Sequence, residues 1–180
     1  MRCIRTDIAS CMLIPSLLVA CSNRGAADSF LPYKDPRQRF EIQSVVLATG
    51  PVDTKSTVEK LPDNLRPSDP ATSKTVVLEL TLASDRDELQ EIKGSEFLLW
   101  YQSGGKSGDA PCVGLSMGDS EMWGLADNKG DASVFVRAKP SQKQKLLFVI
   151  PRGVGEASLQ HRLADGGLAV IKKGVSLSTG

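Results

Sequence analysis

Histidine is almost absent from this chain: His161 is the only one in 180 residues. A histidine-based metal centre or a metalloprotease motif needs more than one, so neither can be built. An excess of charge of one sign is lacking too. Lys and Arg number 22 against 21 Asp and Glu, with no basic run to neutralise a phosphate backbone, which excludes nucleic acid as an expected partner. Cysteines are few and badly placed for cross-linking. Cys3, Cys11 and Cys21 lie near the amino end and Cys112 stands alone, so no internal disulfide framework is expected. Cys112, beside Val113 and Leu115, reads as a small core residue. Aromatics make up only 5% of the chain. The apolar run from Ile8 to Ala20 contains Pro15 and falls short of the ~18 residues that span a bilayer.

What that run does have is the layout of a secretory signal. Arg2 and Arg5 precede it, and small residues close it. Its ending, Leu18-Val19-Ala20-Cys21, resembles the lipobox of bacterial lipoproteins, in which the cysteine is lipidated and becomes the first mature residue. The resemblance implies a diacylglyceryl anchor at Cys21, usually with a further chain on its amine. A single acyl chain holds only marginally, at ~0.8 kcal/mol per buried methylene, so attachment through several is close to permanent. Ser22 in the second mature position is compatible with sorting to the outer membrane. The expected address is the cell envelope, facing the periplasm.

After this leader the chain divides in two. Residues 21–38 are polar and interrupted by Gly25, Pro32 and Pro36, as in a flexible tether. Residues 39–175 carry short apolar bursts separated by turn residues, which favours strands. Val76, Leu78, Leu80 and Leu82 alternate with Val77, Glu79, Thr81 and Ala83, the pattern of a strand with one side on a core. Further strands are expected at 40–48, 97–102, 112–117, 133–137, 145–150, 157–162 and 168–172. Segment 51–74, rich in proline and charge, reads as a long exposed excursion. Segment 84–93, with Ser84 as a cap and Leu89 and Ile92 at helical spacing, predicts one short helical turn. Seven to eight short antiparallel strands without helical crossovers specify an all-β fold of the sandwich type.

Three segments carry a second likeness. TVVLELTLAS (75–84), KGSEFLLWYQSGG (93–105) and KPSQKQKLLFVIPRGVGEASLQ (139–160) resemble an immunoglobulin-like domain of unknown function found in many bacterial lipoproteins and secreted proteins. The resemblance implies an immunoglobulin-like β-sandwich outside the cytoplasm and supplies no catalytic residues.

Motifs for chemistry are weak. Gly104-Gly105-Lys106-Ser107 has Trp100 where a phosphate-binding loop needs its first glycine, and Pro111 follows, so it reads as a hairpin turn. Asp127-Asn128-Lys129-Gly130-Asp131 lacks the spacing of a calcium loop and reads as an Asx-stabilised turn. Ser116 and Ser120 lack a nucleophile elbow. Cys112 with His161 is the one formal nucleophile–base pair, set against a half-exposed strand histidine. Neither cofactor nor metal is expected, and no catalytic residue is assigned. Trp123, Tyr101 and Trp100 are the candidate contacts for a partner. The reading that results is a lipid-anchored, non-catalytic envelope protein that binds or scaffolds another protein through its loops (51–74 and 103–131) or an unpaired sheet edge. The alternatives are a periplasmic small-ligand-binding lipoprotein, a small Cys/His envelope hydrolase, and a structural subunit of a secretion or pilus machine.

Overall fold

The structure is a computed structural model that describes residues 30–48, 71–84, 86, 88–116, 123–126, 131–136 and 141–177, with Glu59 and Asp63. The signal (1–20), Cys21, most of 51–74, Ser120 and residues 127–130 lie outside the described residues.

The longest pairing forms from the most regular alternation. Strand β3 (Ser73–Ala83) meets β9 (Gln142–Pro151) antiparallel from Ser73↔Pro151 to Leu82↔Gln142. Val76, Leu78, Leu80 and Leu82 face the same core as Leu146, Phe148 and Ile150, all buried. Beside them, β2 (Glu41–Leu47) pairs with β3, and β1 (Tyr33–Lys34) with the start of β2. Beyond β9 comes β6 (Lys106–Ser116), then β5 (Phe97–Ser103), β10 (Glu156–Arg162) and β11 (Leu168–Ser176). Strand β7 (Trp123–Leu125) adds to β6 off this path, while β4 (Gln90–Lys93) and β8 (Ser133–Val136) form a separate two-stranded sheet. The all-β expectation holds, and every described ladder is antiparallel.

Strand β6 turns the corner. Its first half pairs with β5 and its second half with β9, with a register shift between Cys112 and Gly114. An extra residue bends a strand and increases its local twist, so one strand serves both layers. The sheet thereby curls until it nearly closes, bringing β11 back towards β2. Across that seam the Lys172 ammonium donates to the Val45 carbonyl at 3.2 Å.

Two expectations need correction. Among its described residues, segment 84–93 has no helical turn: β4 occupies Gln90–Lys93, and a 3-10 turn, Gly94–Glu96, follows it. Ile92 is fully buried while Leu89 is 53% exposed, so the two do not share a face. Pairing of Gln90 with Val136 imposes the two-residue period instead. The folded body also begins before residue 39. Asp35-Pro36-Arg37-Gln38 makes a β-turn, the Gln38 amide donating to the Asp35 carbonyl at 2.7 Å, with Gln38 at φ 56°. Asp then Pro at the first two turn positions is the expected chemistry, and it folds Tyr33–Lys34 back onto β2.

Candidate functional site

The three aromatic candidates are not assembled into one site. On β5, Trp100 and Tyr101 point to opposite faces because successive strand residues alternate. Tyr101 packs at the edge of the main core and lies over Gly108, where a Cβ would come within 2.8 Å of its ring. Trp123 on β7 is half-buried against a second apolar group on the outer side of β3, β6 and β9, made of Val77, Val113 and Leu147 with Leu125 and Val149. Trp100 alone is exposed, at 37%.

Trp100 shares its sheet face with residues that sequence reasoning did not single out. Register places Leu98 opposite Gln160 and Gln160 opposite Val170; Trp100 stands opposite Ser158 and Arg162 opposite Leu168. Directly opposed residues share a face, so Trp100, Val170 and Leu168 lie on the outer face of β5–β10–β11, with the buried Leu98. Val170 and Leu168 are exposed on β11. Alternation within Leu168-Ala169-Val170-Ile171 was the available signal, since Ile171 goes inward and Val170 must go out.

At the other side of the seam lies a polar cluster built by the turn after β1. Arg39 donates from Nε to Asp35 at 2.7 Å, from both terminal nitrogens to the Glu96 carboxylate at 3.0 and 3.1 Å, and to the Glu91 carbonyl at 3.1 Å. Arg37 adds a 2.7 Å bond to Glu96. Burial raises the Glu96 pKa, but the bonds from Arg39 and Arg37 outweigh it and hold the carboxyl below its ordinary value. Burial likewise works against the Arg39 charge, and the bonds to Glu96 and Asp35 outweigh that, leaving its pKa raised. Asp35 is buried, and its Oδ1 accepts no hydrogen bond.

Beside this cluster sits His161, which is fully buried rather than half-exposed. Its Nδ1 is hydrogen-bonded to the Tyr33 hydroxyl at 2.7 Å, and its ring lies 5.5–5.6 Å from those of Tyr33, Phe40 and Phe97. Burial pushes the Tyr33 phenol up to about 12. An open cleft of about 340 Å3, lined by residues including Lys34, Asp35, Phe40 and Arg86, adjoins the turn.

The residues weighed for chemistry have structural partners. Cys112 is buried, its thiol donates to the Gly114 carbonyl at 3.1 Å, and burial pushes its pKa up to about 12. His161 turns to Tyr33, so the pair does not form a nucleophile–base hydrogen bond. The Ser116 hydroxyl accepts from the Lys145 amide and the Gln144 side chain at 2.9 and 3.2 Å. Gly104 and Gly105, both at positive φ, form the two-residue hairpin between β5 and β6, a turn that only such backbone angles permit. The Asp131 carboxylate accepts from the Ser95 amide and hydroxyl. Among the described residues, no three His, Cys, Asp or Glu side chains gather as metal ligands. No family model, curated protein or solved structure matches this chain.

Proposed function

We propose that this chain is a lipid-anchored protein of the bacterial cell envelope, held by Cys21, whose domain binds a protein partner without catalysis. The lipobox-like Leu18-Val19-Ala20-Cys21 supports the anchor. An immunoglobulin-like fold is the finer reading of the architecture. The order β2-β3-β9-β6 on one side and β5-β10-β11 on the other supports it, since constant-type immunoglobulin domains run A-B-E-D and C-F-G. The half-exposed Trp100, and the lack of a cysteine pair between β3 and β10, are departures from antibody domains.

One observation carries the partner reading. Trp100, Val170 and Leu168 are exposed at 37%, 44% and 52% on a single sheet face. Tryptophan is among the residues enriched as interface anchors, and here it shares its face with exposed apolar side chains. The test is crosslinking and pull-down from native membranes with the full chain and with Trp100→Ala. Capture of one stoichiometric envelope protein, weakened ~30-fold or more by the substitution (about 2 kcal/mol), is the expected result. Equal capture by both forms refutes this face as the site.

The cleft beside Asp35, Phe40 and Arg86 favours a second reading, a small polar ligand held by groups of both charge signs. Native mass spectrometry separates the two, because a bait that emerges alone with a bound metabolite replaces the partner reading.

A further inference from the structure

We propose that residues 30–40 are a strap that Tyr33 latches to His161 across the seam of the sheet, and that a proton on His161 releases it. The strap has little backbone pairing. Its strand, β1, pairs with β2 through only Tyr33↔Ile42 and Lys34↔Glu41. Leu31 is 81% exposed, and Pro32, Lys34, Pro36, Arg37 and Gln38 are exposed as well. What fixes the strap inward is a set of side chains, Phe30, Tyr33, Asp35 and Phe40, with the bonds of Arg37 and Arg39 to Glu96 and of Arg39 to the Glu91 carbonyl at its far end. Lys172 of β11 lies 5.9 Å from the Phe30 ring centre while bonding to Val45 of β2. The strap therefore covers the gap where β2 and β11 approach without pairing.

His161 is the point where this cover touches β10. Every ring around it except Phe97 comes from the strap, since Tyr33 and Phe40 supply the other two. Nε2 is buried and has no hydrogen-bond partner. A neutral imidazole tolerates this arrangement, with Tyr33 serving one nitrogen and the other left without a partner. An imidazolium has two N–H donors, and the second finds no acceptor, so a buried cation loses its hydration without replacement. The charged groups facing it do not compensate. Asp35 and Glu96 favour the proton, but Arg39 and Arg37 occupy both carboxylates and oppose it. Tyr33 offers a phenol that stays neutral, and Phe97 on β5 offers no charge. Burial comes first among these influences, and the His161 pKa is held below its ordinary value.

The sign follows from linkage. With the strap lifted, His161 takes a proton at about 6.5; latched, it takes one only at lower pH. Between those two values the open form binds more protons, so acidification favours opening by ~tenfold per pH unit for one coupled proton. Above ~pH 6.5 both forms are neutral and the latch is at full strength. Release has a mechanical consequence, which rests on the anchor at Cys21 proposed above, whereas the latch itself does not. Nine peptide units separate Cys21 from Phe30 and nineteen separate it from Phe40. At ~3.3–3.6 Å per residue the greatest reach from the membrane grows from ~30 Å to ~65 Å.

Hydrogen exchange of the full chain without lipid, read on strap amides from pH 8 to pH 5 and normalised to the unstructured rate at each pH, tests the latch apart from the anchor. Protection over 30–40 should fall as the pH drops below ~6.5, by up to ~tenfold per pH unit, while amides of β3 and β9 keep theirs. Tyr33→Phe should lower strap protection ~3–10-fold at pH 8 and leave the slope, and His161→Phe should abolish the slope. Strap protection that is flat with pH overturns the proposal, as does a slope that survives in His161→Phe, which would assign the sensing to another group. A measurement independent of that variant's folding is the single imidazole resonance of the native chain. Titration at or above ~6.5 with the strap still protected overturns the latch as well.

Discussion

Replacing Arg39 with alanine should destabilise the fold by about 2–4 kcal/mol, most of it through what is left behind. The side chain is 15% exposed and holds two carboxylates and a carbonyl together. Each charge-assisted bond contributes ~1.5–3 kcal/mol at most. The larger effect falls on Asp35, whose side chain is 1% exposed. Without Arg39 its nearest cation is Arg37, with Nε at 3.9 Å from Oδ1, and removing one partner of a buried pair costs ~3–5 kcal/mol. Glu96 loses less, because it is 14% exposed and keeps Arg37 at 2.7 Å, which sets the lower end of the range. Arg39→Lys should fall between, at about 1–2 kcal/mol, since an ammonium cannot fork across both carboxylates. Urea unfolding followed by tryptophan fluorescence measures the loss. With a slope of ~2 kcal/mol per molar, the midpoint should drop by ~1–2 M. Adding Asp35→Asn to Arg39→Ala should recover part of the loss by removing the stranded charge. A loss under ~1 kcal/mol, or no recovery in the double variant, would refute the argument that the stranded carboxylate dominates.

Leu80 is fully buried at the centre of β3, opposite Val45 on β2 and Gln144 on β9. Leu80→Ala should cost ~2–5 kcal/mol by calorimetry or urea unfolding, and a loss near zero would mean that this row is not core. Cys112, buried with its pKa pushed up to about 12, should resist alkylation at pH 8 in the folded protein and react only at the rate of unfolding. Peptide mapping after iodoacetamide treatment separates it from the three amino-terminal cysteines, and prompt labelling would contradict its burial.

Strand positions were legible wherever one face meets the core over several residues. The alternation in 76–83, the burst at 145–150 and the segments at 97–102 and 157–162 match β3, β9, β5 and β10 because a half-buried strand must alternate. Shorter elements left too little period to read. Tyr33–Lys34 and Trp123–Leu125 span two and three residues, and in Gln90–Lys93 the helical spacing of Leu89 and Ile92 was accidental. The turn at Asp35-Pro36 was a legible signal, obscured by the polar composition around it.

Composition and local pattern alone therefore determined the all-β class, the hairpin glycines and the order of the main strands, because these depend on neighbours within a few residues. The buried state of His161, the clamp of Arg39 on Asp35 and Glu96, and the shared face of Trp100 with Val170 and Leu168 were decided by the tertiary structure. Each joins segments tens of residues apart, from 33 to 161 or from 100 to 170. Such contacts are set by how the bent β6 curls the sheet back towards β2, and no local spacing in the chain encodes that closure.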